Sequence, residues 1–381
     1  MDHLILALDF GGTKLTAALF GPEARSSRED RKGSQERQDA DELGDSSLRP
    51  LPAWRSLREP SHILLDLRRV FTPADADAAH ELAAMLAMAD ELLAGRRPSA
   101  VGVSFGGPVD FGAGVVRLSH HVRGWDNFPL RDRLAEGYGA PAAVDNDANV
   151  AALGEHHYGA GRGVDDLMYI TVSTGVGGGW VLGGRPWRGH AGMAGEIGHT
   201  VADPAGPLCL CGKRGCVERL ASGPYMAADY AEARGSRGAG EQGSAPVESP
   251  VESASSDADV AGPRASEDAH SALEPGTLTG RDVAERAAAG DALAMEILLR
   301  GAWALGVGIG NAANLINPSR FVLGGGVTKA GEAWWAEVRR SAAATALPEV
   351  RFDIVPAALG DEAPLWGALA LTENIPEDWA D

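Results

Sequence analysis

Short apolar runs alternate with longer amphipathic stretches along most of the chain, and this alternation predicts its elements. The run from Leu4 to Phe10 predicts a buried strand. The turn residues Gly-Gly-Thr-Lys at 11–14 separate it from a second predicted strand at 15–20, so we expect a hairpin. Apolar residues at helical spacing then predict a helix over 75–97.

The alternation continues towards the end of the chain. The elements predicted there are a strand at 99–110, a strand and helix at 142–161 with the helix beginning near Asp147, a strand, glycine loop and strand at 166–184, helix over most of 279–318, a strand at 320–327 and a closing helix at 361–373. Because strands and helices interleave, the predicted fold class is α/β. The recurring glycine turns are consistent with two α/β domains that face each other across a cleft.

Two polar tracts interrupt the pattern. The first, at about 21–60, has few apolar residues and dense mixed charge, so we expect a mobile loop. The second, at about 233–275, is rich in Ser, Ala, Gly, Glu and Asp and predicts disorder or an exposed insertion.

The charge of the chain narrows the function classes. The 381 residues are 44% apolar, which predicts a globular protein, and they carry a formal net charge of −19. Nucleic acids and anionic membranes repel such a chain, so neither partner is expected. The apolar run at 4–10 is too short for a signal peptide, and no stretch approaches the ~20 apolar residues of a membrane span. An acidic enzyme that acts on phosphates needs local cations, amide dipoles or a metal ion.

All three cysteines lie close together, and His199 precedes the first of them by ten residues. A tetrahedral structural zinc ion is suited to a set of three thiolates and one imidazole. This set would be supplied by Cys209, Cys211, Cys216 and His199. The alternative is three unrelated buried thiols. Because their spacing is not that of a disulfide framework, we expect a reducing, cytoplasmic setting.

Glycine-rich turns are the candidate phosphate sites. Backbone amides at 11–14 could cradle a phosphate, and Asp9 at the strand end could hold magnesium through water. A plain hairpin turn is the alternative. The stretches STGVGGG at 173–179 and LGGGV at 323–327 repeat the pattern, and the chain has no Walker A motif.

Four polar residues are candidates for binding hydroxyl groups or for catalysis, two of them at the start of the helix at 147. Asp147 is either a helix N-cap or a general base aimed into the cleft, and both roles are compatible. Asn146 beside it adds an amide suited to gripping vicinal hydroxyls. Glu196 and His199, three residues apart, would share one helix face, the alternative being a solvated face.

Taken together, these stretches resemble the ROK family (repressor, open reading frame, kinase) of the actin-like and hexokinase-like ATPase superfamily. The resemblance rests on LDFGGTK, VGVSFGGPVD, VDNDANVAALGE, STGVGGG, GEIGHT, CLCGKRGCVE and VLGGGV, in the family's order. It implies two RNase-H-like domains around a central cleft. It also implies ATP, Mg²⁺, a structural Zn²⁺ and phosphoryl transfer from ATP to a sugar hydroxyl.

The resemblance also implies roles for individual residues. The aspartate at the position of Asp147 is the base that takes the hydroxyl proton. Positions that hold the other sugar hydroxyls are matched by Asn146, Glu196, His199 and Glu218, with His199 also a zinc ligand beside the three cysteines. Nucleotide-binding positions are matched by Asp9, Gly11, Gly12, Thr13, Lys14, Thr174, Gly175, Gly324, Gly325 and Gly326.

The expected domains are a smaller one at 1–125 plus 361–381 and a larger one at 126–360. Glucose is the best single substrate, while N-acetylmannosamine, N-acetylglucosamine and fructose stay open. Two functions of other classes remain as alternatives, a sugar sensor without catalytic activity and a transcriptional regulator. The transcriptional regulator is disfavoured by the position of the phosphate loop at Gly11 and by the acidic net charge. A homo-oligomer, either dimer or tetramer, is expected from the family.

Overall fold

The computed structural model describes residues 3–22, 62–73, 75–119, 122–240, 278–373 and 375. Two five-stranded sheets organise these residues, and both contain parallel and antiparallel pairs. Helices cover the faces of both sheets, as the interleaved pattern predicts, so the α/β class is confirmed.

The first sheet has the strand order β3-β2-β1-β4-β7. β1 pairs antiparallel with β2 and parallel with β4, and β4 pairs parallel with β7. The apolar runs behind the two hairpin strands are buried over almost their whole length. The strands are β1 (Ile5–Gly11), β2 (Lys14–Pro22), β3 (His62–Phe71), β4 (Ala100–Phe105) and β7 (Ala142–Asn146), and a separate two-stranded ribbon contains β5 (Val109–Asp110) and β6 (Val115–Val116).

The second sheet has the order β10-β9-β8-β11-β12. β8 pairs antiparallel with β9 and parallel with β11, and β12 continues the parallel part. The same arrangement, a hairpin followed by parallel neighbours, therefore occurs twice. The strands are β8 (Leu167–Val172), β9 (Val176–Leu182), β10 (Arg185–Trp187), β11 (Arg320–Gly324) and β12 (Asp353–Pro356).

Helices pack on both sheets. Two of them share a core with one face of the first sheet, α1 (Ala78–Leu93) and α2 (Leu130–Tyr138). The opposite face packs against α3 (Asp147–Tyr158) and α9 (Ala363–Thr372). The largest core lies on one face of the second sheet, beneath α4 (Val217–Ala221), α5 (Gly223–Gly240), α6 (Gly280–Ala288), α7 (Ala292–Ile316) and α8 (Glu332–Thr345).

Helix α3 lies between the two sheets. Val150 and Leu153 pack into the core of the first sheet, whereas Ala151 and Ala152 pack against Leu167 and its neighbours in the second. The chain enters the second sheet through this helix and returns to the first through α9. The two helices pack in close contact, because Gly154 and Gly367 have no side chains that would separate the two backbones.

Helix α7 is long and apolar enough by length and composition to cross a membrane, although no stretch of that kind was expected from the sequence. It lies in the core of the second sheet, and 61% of its most apolar window is buried within the protein. Its composition is therefore accounted for by packing among the other helices.

Some boundaries differ from the predicted ones. The second polar tract was expected to begin near Ala233, but α5 continues to Gly240, because the helix that starts at Gly223 is anchored by the buried Met226 and Tyr230. The first tract was expected from residue 21, but Gly21 and Pro22 still pair with β3. Residues 23–60 and 241–275 of these tracts lie outside the described residues.

One strand bears on the expected domains. β7 lies beyond residue 125, yet it pairs with β4 in the first sheet, because its buried apolar residues match those of a parallel neighbour. The closing helix does pack on that sheet. The division at residue 125 stays a prediction.

The crossing of α3 and α9 gives a stability prediction. A Cβ on Gly367 would lie 1.8 Å from the carbonyl oxygen of Val150, so Gly367→Ala must push the helices apart. We expect a loss of about 1–3 kcal/mol, the usual cost of overpacking, measured by thermal or urea unfolding. Gly137→Ala in α2 is the control, because its Cβ would meet open space. Equal stability of both variants would contradict the close crossing.

Candidate active site

The predicted glycine turns and polar groups gather at the ends of parallel strands. In the first sheet, β1, β4 and β7 run in parallel and end near Gly11, Phe105 and Asn146. In the second sheet, β8 and β11 run in parallel and end at Val172 and Gly324. Ligands of open α/β sheets bind at the carboxyl ends of such strands. These two edges are therefore the candidate site.

Asp9 is a buried carboxylate close to the end of β1. Its Oδ1 accepts a hydrogen bond of 2.8 Å from the Ser104 hydroxyl on β4. Burial raises the pKa of Asp9 to about 6, against the opposing effects of Ser104, Lys14 and Arg69. A carboxylate so placed beside the turn at 11–14 could bind a hard divalent cation directly or through water.

Asn146 and Asp147 form the junction between β7 and α3. Asn146 is the N-cap: its Oδ1 accepts from the backbone N–H groups of Ala148 and Asn149, whereas Asp147 is the first helical residue. The prediction that Asp147 could be the N-cap is therefore wrong, because Asn146 is the extended residue before the helix and its side chain accepts from the N–H groups two and three residues further on. The Asn146 amide also donates to the Gly107 carbonyl at 3.1 Å and to Asp147 Oδ1 at 3.0 Å.

Asp147 is held through one of its two oxygens. Its Oδ1 accepts from the Asn146 amide and from the Ala148 N–H at 2.8 Å, and its Oδ2 has no hydrogen-bond partner among the described residues. Burial, together with the negative charges of Asp9 and Glu196, raises the pKa of Asp147 to about 6, against the opposing hydrogen bonds from Ala148 and Asn146. The three carboxylates therefore share one electrostatic environment, as a cleft lined from both sheets requires.

Asp145 and Arg188 are site residues that the sequence analysis missed. Arg188, just beyond β10 of the second sheet, donates from Nε to Asp145 Oδ2 at 2.6 Å. Its guanidinium also lies 3.6 Å from the ring centre of Phe111. Asp145 is buried, and its Oδ1 accepts from the Asn146 N–H, so the pair fixes the strand end that carries Asn146 and Asp147.

The second glycine stretch is mostly strand. The turn contains Thr174 and Gly175, and the Ser173 N–H donates to the Gly175 carbonyl at 2.9 Å. Residues 177–179 were expected in a loop but lie in β9. A Cβ on Gly179 would lie 2.3 Å from the Ala148 carbonyl oxygen of α3, and a Cβ on Gly178 would lie 2.7 Å from the Gly195 carbonyl oxygen, so the packing requires glycine at these two positions.

The third glycine stretch does form a turn at the end of β11. Gly325 has a φ of +89°, which favours glycine, and its Cβ would lie 2.3 Å from the Val172 carbonyl of β8. Gly324 lies against the Tyr169 hydroxyl, whereas Gly326 faces open space. The turn therefore lies beside the Thr174–Gly175 turn at the same sheet edge.

His199 is the last residue of a short 3-10 turn, Ile197–His199, and Glu196 immediately precedes this turn. The shared face of a longer helix was expected, but the close contact of Gly198 with the Val176 carbonyl holds this segment against β9 instead. Glu218, in α4, accepts from the Val176 N–H at 3.0 Å. Its carboxylate thus lies beside the Thr174–Gly175 turn.

His199, Cys209, Cys211 and Cys216 converge, with their ligand atoms all within 4.8 Å of one another. Cys209 Sγ lies 4.0 Å from His199 Nδ1, and Cys211 Sγ lies 3.5 Å from Cys216 Sγ. None of the three cysteines forms a disulfide within the described residues. Three thiolates and one imidazole at this spacing fit a tetrahedral zinc ion.

The family model of the ROK family matches residues 62–375, and the chain belongs to this family. It is similar to a glucokinase of Halalkalibacterium halodurans, 37% identical over 288 residues that are 73% of this chain and 78% of the relative. An N-acetylmannosamine kinase of Citrobacter koseri is 38% identical over 223 residues, 58% of this chain and 63% of the relative.

A solved structure extends the similarity to the whole fold. The crystal structure of a ROK family glucokinase from Streptomyces griseus in complex with glucose and AMPPNP has a TM-score of 0.64 and 29% identity. The alignment covers 96% of this chain and 97% of that chain. The actin-like ATPase fold that the sequence resemblance implied is thereby confirmed.

The electrostatics of Asp147 give a prediction for stability. Because its pKa in the folded protein is about 6, above the ordinary value near 4, the folded state holds the proton more tightly between these pH values. Stability is therefore lost as the pH rises through this window. Asp147→Asn removes the free-energy cost of ionising this buried side chain in the folded protein. We expect it to raise Tm relative to the parent at about pH 7.5, by roughly 1–3 kcal/mol of stability, and to change little at about pH 4.

Thermal unfolding of both proteins at each pH checks this expectation. Asp126→Asn removes an exposed carboxylate and is the control for net charge. A Tm of Asp147→Asn at neutral pH that matches or falls below the parent value would contradict the shared carboxylate environment.

Proposed function

We propose that this chain is an ATP-dependent hexose kinase, most simply a glucokinase. The observation that carries the proposal is Asp147, which starts α3 at the strand edge and shares its electrostatic environment with Asp9 and Glu196. The glucokinase relative at 37% identity and the glucokinase structure with glucose and AMPPNP support the same activity.

In the proposed reaction Asp147 is the general base. Its Oδ2 accepts the proton of the sugar hydroxyl as the hydroxyl oxygen bonds to the γ-phosphorus of ATP, and the bond to the β–γ bridging oxygen breaks. A base with a pKa near 6 is largely ionised at neutral pH yet still basic enough to take the proton. Phosphoryl transfer depends mainly on positioning and charge stabilisation, which the fixed Asn146–Asp147 junction supplies.

The phosphates of ATP would lie between the two sheets. From the first sheet they would be bound by the side chain of Lys14 and by the backbone amides of Gly11, Gly12 and Thr13. From the second sheet they would be bound by the turns at 174–175 and 324–326. Asp9 would hold Mg²⁺. When bound, this ion neutralises charge on the phosphate oxygens.

The other sugar hydroxyls would be held by Asn146, Glu196, His199 and Glu218. Zinc on the Cys3His cluster would fix His199 through Nδ1, the nitrogen that lies closest to Cys209. Nε2 would then remain for a hydroxyl group. The cluster thus acts as a structural clamp for the segment that carries three of the four groups.

N-acetylmannosamine kinase is the second candidate, because relatives with that activity are equally similar over a shorter stretch. We also propose a domain division at residue 125, with the closing helix returning to the first domain, and a homo-oligomeric state. A cytoplasmic location is favoured by the three cysteines, none of which forms a disulfide within the described residues.

A coupled ADP-release assay tests the activity and names the substrate. Glucose, mannose, fructose, N-acetylglucosamine and N-acetylmannosamine are each supplied with ATP and Mg²⁺. We expect turnover with glucose in excess of the others. Turnover with N-acetylmannosamine alone would favour the second candidate, and silence across the panel would contradict the kinase proposal.

The base can be tested separately from binding. Asp147→Asn should lower kcat on the order of 10²–10⁴-fold, the usual contribution of a general base, while a direct titration shows sugar affinity close to the parent's. Asp132→Asn, on the exposed side of α2, is the control and should leave kcat unchanged. Near-normal turnover of Asp147→Asn would remove Asp147 from its role.

The metal cluster gives a further prediction. Cys211→Ser should abolish bound zinc, measured by elemental analysis of the purified protein, and should weaken sugar binding because His199 loses its anchor. His190→Ala, an exposed histidine nearby, should keep one zinc ion per chain. A zinc-free Cys211→Ser protein with parent-like sugar affinity would show that the cluster does not support the sugar site.

A further inference from the structure

We propose that Arg69, on the edge strand β3, is a phosphate-binding residue whose guanidinium contacts the terminal phosphates of the nucleotide. The inference rests on the proposed kinase function and adds a residue to it. Neither the glycine turns nor the family motifs of the sequence point to this position, which lies just beyond the first polar tract.

A single row across the first sheet places Arg69 near the site. Asp9 on β1 is directly opposite Thr16 on β2, and Thr16 is directly opposite Arg69 on β3. Directly opposed residues in antiparallel pairs point to the same face of a sheet. Arg69 Nε donates to the Thr16 hydroxyl at 3.3 Å, and its positive charge stabilises the Asp9 carboxylate.

This row faces the side of the sheet on which the reaction is proposed. Two residues before Arg69, Leu67 packs against the core that contains Ala18 and α9, and α3 lies in the same core. Arg69 continues that face towards the strand end, where the turn at 11–14 begins. Its neighbour Arg68 points to the opposite face and pairs with Asp66 at 2.7 Å.

The charge of the site favours a further cation beside Lys14. Asp9, Asp147 and Glu196 share the site in a chain of net charge −19, and a nucleotide polyphosphate adds further negative charge. The cations that act on Asp9 are Lys14 and Arg69. Among the described residues Arg69 forms no ion pair, and its bond to Thr16 uses only Nε. The exposed guanidinium therefore keeps donors for phosphate oxygens, which it can bind in a bidentate manner.

The experiment compares Arg69→Gln, Arg69→Lys and the matched control Arg68→Gln. ATP, ADP and adenosine are titrated into each protein with Mg²⁺ by calorimetry, and the KM for ATP and kcat are measured with the best sugar of the panel. We expect Arg69→Gln to weaken ATP and ADP binding about 10–100-fold, as loss of a charge-assisted contact does, with adenosine affinity and Tm unchanged. Arg69→Lys should recover part of the loss, and Arg68→Gln should match the parent.

Two results would overturn the inference. One is parent-like ATP and ADP affinity in Arg69→Gln, and the other is an equal loss of affinity for adenosine, which would indicate a general disturbance of the sheet. The titrations do not require phosphoryl transfer. An Arg69-dependent affinity for ATP in a protein that is silent across the sugar panel would therefore support this inference while contradicting the kinase proposal.

Discussion

The arrangement of the two sheets depends on one buried carboxylate. Glu155, fully buried near the end of α3, accepts hydrogen bonds from the backbone N–H groups of Ala160 at 2.7 Å, Ala358 at 3.1 Å and Leu359 at 2.8 Å. The first is in the chain that leaves α3 for the second sheet, and the other two are in the chain that returns to α9. Three amide donors satisfy a buried carboxylate without a cation. The two connections between the sheets are thereby tied at one point.

The same helix carries the proposed chemistry at its other end. Asp147 begins α3, so the base is fixed to the element that spans both sheets. Asn146 satisfies the first amides of the helix and also bonds to Asp147, so capping and orientation of the base come from a single side chain. Across the site, the Arg188–Asp145 pair joins a residue of the second sheet to the strand end. A small displacement of one sheet against the other would therefore disturb the Arg188–Asp145 pair beside the base.

Local sequence patterns predicted the elements that are regular and buried. The strand from Leu4, the hairpin, the helix at Asp147 and the convergence of three cysteines with His199 could all be predicted, because each depends on near neighbours in the chain. The role of Arg188 could not, since its partner Asp145 lies 43 residues away and only the fold brings them together. Gly178 and Gly179 were expected in a loop because sequence alone does not show the segments that pack against them, which are Gly195 and helix α3.

The edge strand β3 was not predicted from the sequence. Several of its residues are exposed, so it lacks the clean alternation that marks a half-buried strand, and no element was predicted at 62–71. Pairing with β2 gives it order, and register rather than composition places Arg69 in line with Asp9. An acidic protein can bind a polyphosphate with few cationic side chains if the strands of a sheet hold these side chains beside the site. The charge that the composition lacks is thus supplied locally, where strand geometry fixes its position.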